Sequence, residues 1–175
     1  KAGKRSIDTP WIALDSWTNG WWPKDLSFFV GRGGIGKSFV MILTAIAAIK
    51  KGKKVFLISC EMSVEDMASR YFAIEFVKQY SAIRKGRLSF FEEKELRRLV
   101  EEFQQPSSTF QIMDAERGMD IIRIERAIEK TKADLVLIDS AYRIKPRQKA
   151  RDRFEAFSYV VDDLKMFAQM YKLPI

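Results

Sequence analysis

Eight consecutive residues, Gly31-Arg32-Gly33-Gly34-Ile35-Gly36-Lys37-Ser38, fit the spacing G-x-x-x-x-G-K-[S/T]. That spacing cradles the phosphates of a nucleoside triphosphate. Glycines let the backbone turn its N–H groups inward, and a following helix adds partial positive charge at its N-terminus. Lys37 can then reach the β- and γ-phosphates, while the Ser38 hydroxyl can ligate Mg²⁺. The chemistry expected of these eight residues is binding of ATP with magnesium.

Two acids fall where such a loop needs them. Asp139 ends the apolar run Leu135-Val136-Leu137-Ile138, so a strand would deliver its carboxylate to the carboxyl edge of a sheet beside Ser38. A buried strand can also end in a merely solvated Asp, but the preceding loop calls for a second metal ligand. Glu61 follows the β-rich run Val55 to Cys60 and should emerge at the same edge. There it can either polarise the attacking water as a general base or simply complement a helix N-terminus. A third signal is basic. Arg143, Lys145, Arg147, Lys149, Arg151 and Arg153 occupy every odd position from 143 to 153. In an extended loop a period of two sends all six to one side, a row suited to the phosphates of a nucleic-acid strand. The competing reading is a solvated loop.

The intervening pattern says what positions these groups. Leu26 to Val30 reads as a buried strand entering the loop, and Phe39 to Ile49 as the helix leaving it, stopped by Gly52. Ser63-Val64-Glu65-Asp66 and Ser89-Phe90-Phe91-Glu92 match capping boxes that open two more helices. Thr109 to Met113 reads as a short strand, and Ile121, Ile124 and Ile128 mark a further helix. Phe154, Phe157, Val161, Leu164, Ala168 and Tyr171 recur at helical spacing as one long buried stripe. Continuous apolar strands alternating with helices predict an α/β fold, a parallel sheet covered on both faces. Residues 1–24 differ, because all four tryptophans (Trp11, Trp17, Trp21, Trp22) lie there. They form a lead-in that either caps the domain's own core or docks on a neighbouring subunit, and docking is the outcome expected. Residues 25–175 are expected to form the core.

Lys and Arg outnumber Asp and Glu by 31 to 23, a net charge of +8 that favours a polyanionic partner. The absence of histidine excludes His-based catalysis. A single cysteine, Cys60, has no disulfide partner, which fits a reducing, cytoplasmic setting. No apolar run approaches the roughly 20 residues of a membrane span. The start at Lys1 and the close on Leu173-Pro174-Ile175, which looks like a strand beginning, read as a piece of a longer protein.

Together these residues resemble the C-terminal motor domain of DnaB-type replicative helicases, within the RecA-like P-loop ATPases, and most of all its phage-encoded or ring-forming members. Leu14 to Leu26 is similar to the family's lead-in, Gly31–Ser38 to its loop, and Leu135–Asp139 to its magnesium strand. Ser59-Cys60-Glu61-Met62-Ser63 is similar to the segment bearing its catalytic glutamate. Ser140-Ala141-Tyr142 departs from the sequence most common after the family's magnesium acid. The resemblance implies ATP hydrolysis, with Lys37 on the phosphates, Ser38 and Asp139 on Mg²⁺, and Glu61 activating water. It also implies a hexameric ring pulling single-stranded DNA past loops such as 143–153, with primase or other replication proteins as partners. A polar sensor, a second DNA loop and an arginine finger would lie beyond Ile175. A RecA-like recombinase, or an ATP-gated loader without unwinding activity, is the alternative.

Overall fold

The computed structural model describes residues 6–115 and 119–175. Val55–Ser59 is apolar without alternation and forms the central strand, β1, buried along its whole length. Phe110–Asp114 (β2) and Leu135–Asp139 (β3) flank it in the order β2-β1-β3, both parallel to it. The register sets Ser59, Asp114 and Asp139 at one level, the carboxyl edge.

Because strand side chains alternate, β1 feeds two cores. Val55 and Leu57 pack on one face with Lys37–Ile49 (α2), Val64–Glu75 (α3) and Phe90–Phe103 (α5). Phe56 and Ile58 pack on the other with Ile121–Thr131 (α6) and Arg153–Tyr171 (α7). The parallel sheet covered on both faces is therefore as expected. Two short helices had no periodic signal, namely Ile12–Thr18 (α1) and Tyr80–Arg84 (α4). Helix ends follow their caps. Lys53 N–H bonds the Ala48 carbonyl and Gly52 N–H that of Ile49, the paired closure that a left-handed glycine permits. Ser89 and Glu92 form a complete capping box, whereas Ser63 only accepts from the Asp66 N–H.

Two expectations need correction. Leu26 to Val30 is not a buried strand: Phe28 is 46% and Val30 91% exposed. Its start is nevertheless joined to the sheet. Ser27 N–H bonds the Ile175 carbonyl and Ile175 N–H that of Asp25, while Val136 N–H bonds the Pro174 carbonyl. Residues 173–175 thus lie between β3 and residues 24–27, and pairing runs no further than Ser27. The second correction is in α7, whose buried stripe is Val160, Leu164, Phe167 and Ala168. Phe154 is 84% exposed and Phe157 36%. A 19-residue helix beside five-residue strands outruns the sheet by roughly 10 Å, so its first turn projects past the carboxyl edge.

The lead-in divides. Ile7 and Trp21 exchange backbone hydrogen bonds as an antiparallel bridge, Ile7 is core, and Trp21 packs against it. The Trp11 and Trp21 rings both meet Phe29 edge-on. Trp17, in contrast, is 83% exposed.

Candidate functional site

Gly34 and Gly36 hold φ of +81° and +97°, values that favour glycine and turn the loop back under the start of α2. A methyl group added at Gly33, Gly34 or Gly36 would meet no atom within 4 Å, so the loop's inner surface is backbone alone. The Ile35 side chain lies over Gly31 instead. The α2 N-terminus has no side-chain cap, which leaves its first-turn N–H groups for an anion. Lys37 Nζ donates to the carbonyls of Gly31 (2.9 Å) and Arg32 (2.8 Å). Its ammonium thus lies along the loop, and Arg32 enters the site through its backbone.

Across the cleft, Ser38 Oγ donates to Asp139 Oδ2 at 2.6 Å. Burial pushes the Asp139 carboxyl above its ordinary range, and the Glu61 charge adds to this. The Ser38 hydrogen bond, Arg70 and Lys37 oppose it. A hydroxyl and a carboxylate in contact are hard oxygen donors of the kind Mg²⁺ takes. Among the described residues no cluster of three or more acids, cysteines or histidines forms. An ion here would complete its shell with water and phosphate, the usual state of Mg²⁺ at nucleotide sites. The residues fit magnesium.

Glu61 leaves β1 two residues past the carboxyl edge. Its Oε1 accepts from the Tyr142 hydroxyl, from Ser140 Oγ at 2.9 Å and from Arg143 Nε at 3.4 Å. The Tyr142 hydrogen bond above all holds its carboxyl below the ordinary range. The two acids are therefore pushed in opposite directions, as happens where paired carboxyls have different roles. Cys60 between them is buried, and its thiol is driven up to about 11 by burial and by both carboxylates.

Lys37, Ser38, Glu61, Asp139 and the loop glycines line a single cavity of about 620 Å³. Arg70 also lines it, a residue outside every motif of the sequence. Its guanidinium lies 4.7 Å from the Tyr80 ring centroid and 5.5 Å from that of Phe39. One arm bonds the Asp66 carbonyl, and the enclosed Nε has no partner among the described residues. The available signal was an arginine three residues after the buried Met67, on the same helical stripe.

The basic segment is not a one-sided row. Ala141–Arg143 is a 3-10 turn that brings Arg143 to Glu61. Arg147 pairs with Glu125 of α6 and Asp163 of α7, its guanidinium 5.7 Å from the Phe167 ring. Arg151 pairs with Glu155 of its own helix. Local carboxylates outcompete the period of two. Lys145, Lys149 and Arg153 are exposed and make no ion pair among the described residues.

The sequence model of the family described as "DnaB-like helicase C terminal domain" matches residues 6–175. The chain belongs to that family. A protein of Trieres chinensis named "Probable replicative DNA helicase" is 27% identical over 169 residues, 93% of this chain and 36% of its own. One of the same name from Guillardia theta is 25% identical over 173 residues, covering 95% and 28%. The DnaB-like domain thus spans about a third of the length of these curated relatives. Among solved structures, "The Structure Of A DnaB-Like Replicative Helicase And Its Interactions With Primase" superposes with a TM-score of 0.83. Its identity is 20%, over 99% of this chain and 44% of that one. A second solved structure, of an isolated ATPase domain, gives 0.81 at 21% identity, over 98% and 63%. These likenesses establish the fold as that of a RecA-like ATPase domain. Among the described residues, no helix of the DnaB-like domain is long and apolar enough to cross a membrane.

Proposed function

We propose that this domain hydrolyses Mg²⁺·ATP and is the motor of a ring-forming replicative helicase that translocates on single-stranded DNA. The observation that carries the reading is convergence. Lys37 and Ser38 at the start of α2, Glu61 after β1 and Asp139 at the end of β3 meet around one cavity at the sheet's carboxyl edge. Lys37 exchanges the Gly31 and Arg32 carbonyls for β- and γ-phosphate oxygens. Ser38 and Asp139 hold the magnesium, which when bound neutralises charge on the transferred phosphoryl group. Glu61 takes the proton of the attacking water. Loop backbone N–H groups and the α2 N-terminus bind the remaining phosphate oxygens.

Other copies of the chain, in a hexameric ring, and primase or other replication proteins are the partners inferred. Lys145, Lys149 and Arg153 are the cations of the basic segment left to meet DNA. Family membership supports a helicase motor, and the recombinase and loader readings have no comparable support. The test is ATP hydrolysis by the full-length protein, with and without single-stranded DNA, for wild type and Glu61→Gln. The variant is expected to bind ATP while turning over roughly 10²–10⁴-fold more slowly, the worth of a positioned acid–base group. Near-normal turnover would reduce Glu61 to a helix-capping role.

A further inference from the structure

Glu61 carries three donors on one oxygen. Tyr142, Ser140 and Arg143 all reach Oε1, and Oε2 has no partner among the described residues. We propose that Tyr142, backed by Ser140, is a positioning residue that anchors Glu61 through Oε1 and so reserves Oε2 for the attacking water. The inference rests on Glu61 being the general base.

Its grounds are geometric. A carboxylate on a half-exposed loop has several rotamers, and only a few direct an oxygen at a given point. Two hydroxyls and a guanidinium converging on one oxygen select among them, and charge-assisted hydrogen bonds are strong enough to do so. Tyr142 is 62% exposed, so burial of its ring does not account for its place. The Arg143 guanidinium beside that ring, 5.7 Å from its centroid, adds a cation–π contact that steadies the turn. All three donors lie within four residues of Asp139, on the 3-10 turn that leaves the metal acid. One short segment therefore sets the spacing between the acid that holds the ion and the acid that activates water. Ser140-Ala141-Tyr142 is also where this chain departs from the sequence most common in its family, so the anchor belongs to this protein.

The test compares Tyr142→Phe with Glu61→Gln in the full-length protein, measuring kcat and KM for Mg²⁺·ATP and the thermal melt. Phe retains the ring and removes only the donor. Tyr142→Phe is expected to lower kcat roughly tenfold, the rate equivalent of one hydrogen bond to a charged group. KM should stay within about twofold and the melt should not move, because loss of a transition-state interaction alone lowers kcat without weakening substrate binding. If Glu61→Gln is slow and Tyr142→Phe has wild-type kcat, the anchor is overturned while the base stands. A raised KM at unchanged kcat also overturns it, making Tyr142 a nucleotide contact. Near-normal turnover of Glu61→Gln removes the base and this inference with it.

Discussion

Asp139 and Glu61 sit in one cavity and are shifted in opposite directions, and the Asp139 shift has a consequence for stability. A carboxyl raised above its unfolded value binds protons more readily in the folded state. Its contribution is therefore fully present below about pH 4, the ordinary Asp value, and is lost as pH climbs through the folded value. Asp139→Asn removes that loss while keeping an acceptor for Ser38. The metal-free variant should then melt at or above wild type at pH 7–8, whereas Mg²⁺·ADP should stabilise wild type and not the variant. Thermal melts with and without Mg²⁺·ADP check both. A metal-free variant melting well below wild type would mean that the charged carboxylate stabilises the fold rather than being held for an ion. The sequence made this site legible where spacing fixes geometry, in Gly31–Ser38 and the acids at two strand ends. Arg70 and Tyr142 stayed hidden, because they reach the cavity by tertiary packing that no local pattern encodes.

Elements were legible in proportion to their periodicity and caps. Helices α2, α3, α5 and α6 open or close near their expected cap residues, and β1 and β3 are continuous apolar runs. The seven-residue α1 and five-residue α4 carry too few turns to show a period. The buried stripe of α7 begins later than its apolar spacing suggests, since hydrophobic spacing does not say where the sheet stops. The strongest cap gives a test. Ser89 accepts from the Glu92 N–H, and Glu92 accepts in return from the Ser89 N–H. Ser89→Ala should cost about 1 kcal/mol, read as a lowered denaturation midpoint. Lys78 and the Ser89 groups also hold the exposed Glu92 carboxyl down at about 2. The Glu92 contribution is therefore present above its unfolded value, near 4.5, and fades as pH falls towards 2. The penalty of Ser89→Ala should shrink over the same window, and a penalty equal at pH 7 and pH 2.5 would contradict this account.

For the molecule as a whole, composition pointed to one basic α/β domain, and the four tryptophans were expected to act together on a neighbour. They do not act together. Trp11 and Trp21 pack on Phe29, while Trp17 is bare. Aromatic content shows that area will be covered but not by what. Trp21→Ala should destabilise the domain by roughly 2–3 kcal/mol, less than a fully enclosed ring because Trp21 is half-buried. Trp17→Ala should change stability by less than about 0.5 kcal/mol, leaving it the tryptophan available to another subunit. Urea denaturation of both variants separates the roles, and equal losses would refute the division. The pairing of residues 24–27 with 173–175 bears on how the molecule is made. The two stretches are some 150 residues apart, and closing so long a loop comes at an entropic cost that local helices avoid. During synthesis, β1, β2 and β3 can meet before the residues entering the phosphate loop have a partner. A nascent chain can thus carry a nearly complete sheet while its nucleotide cradle is still unmoored, and the cradle is tied down only once residue 175 has left the ribosome.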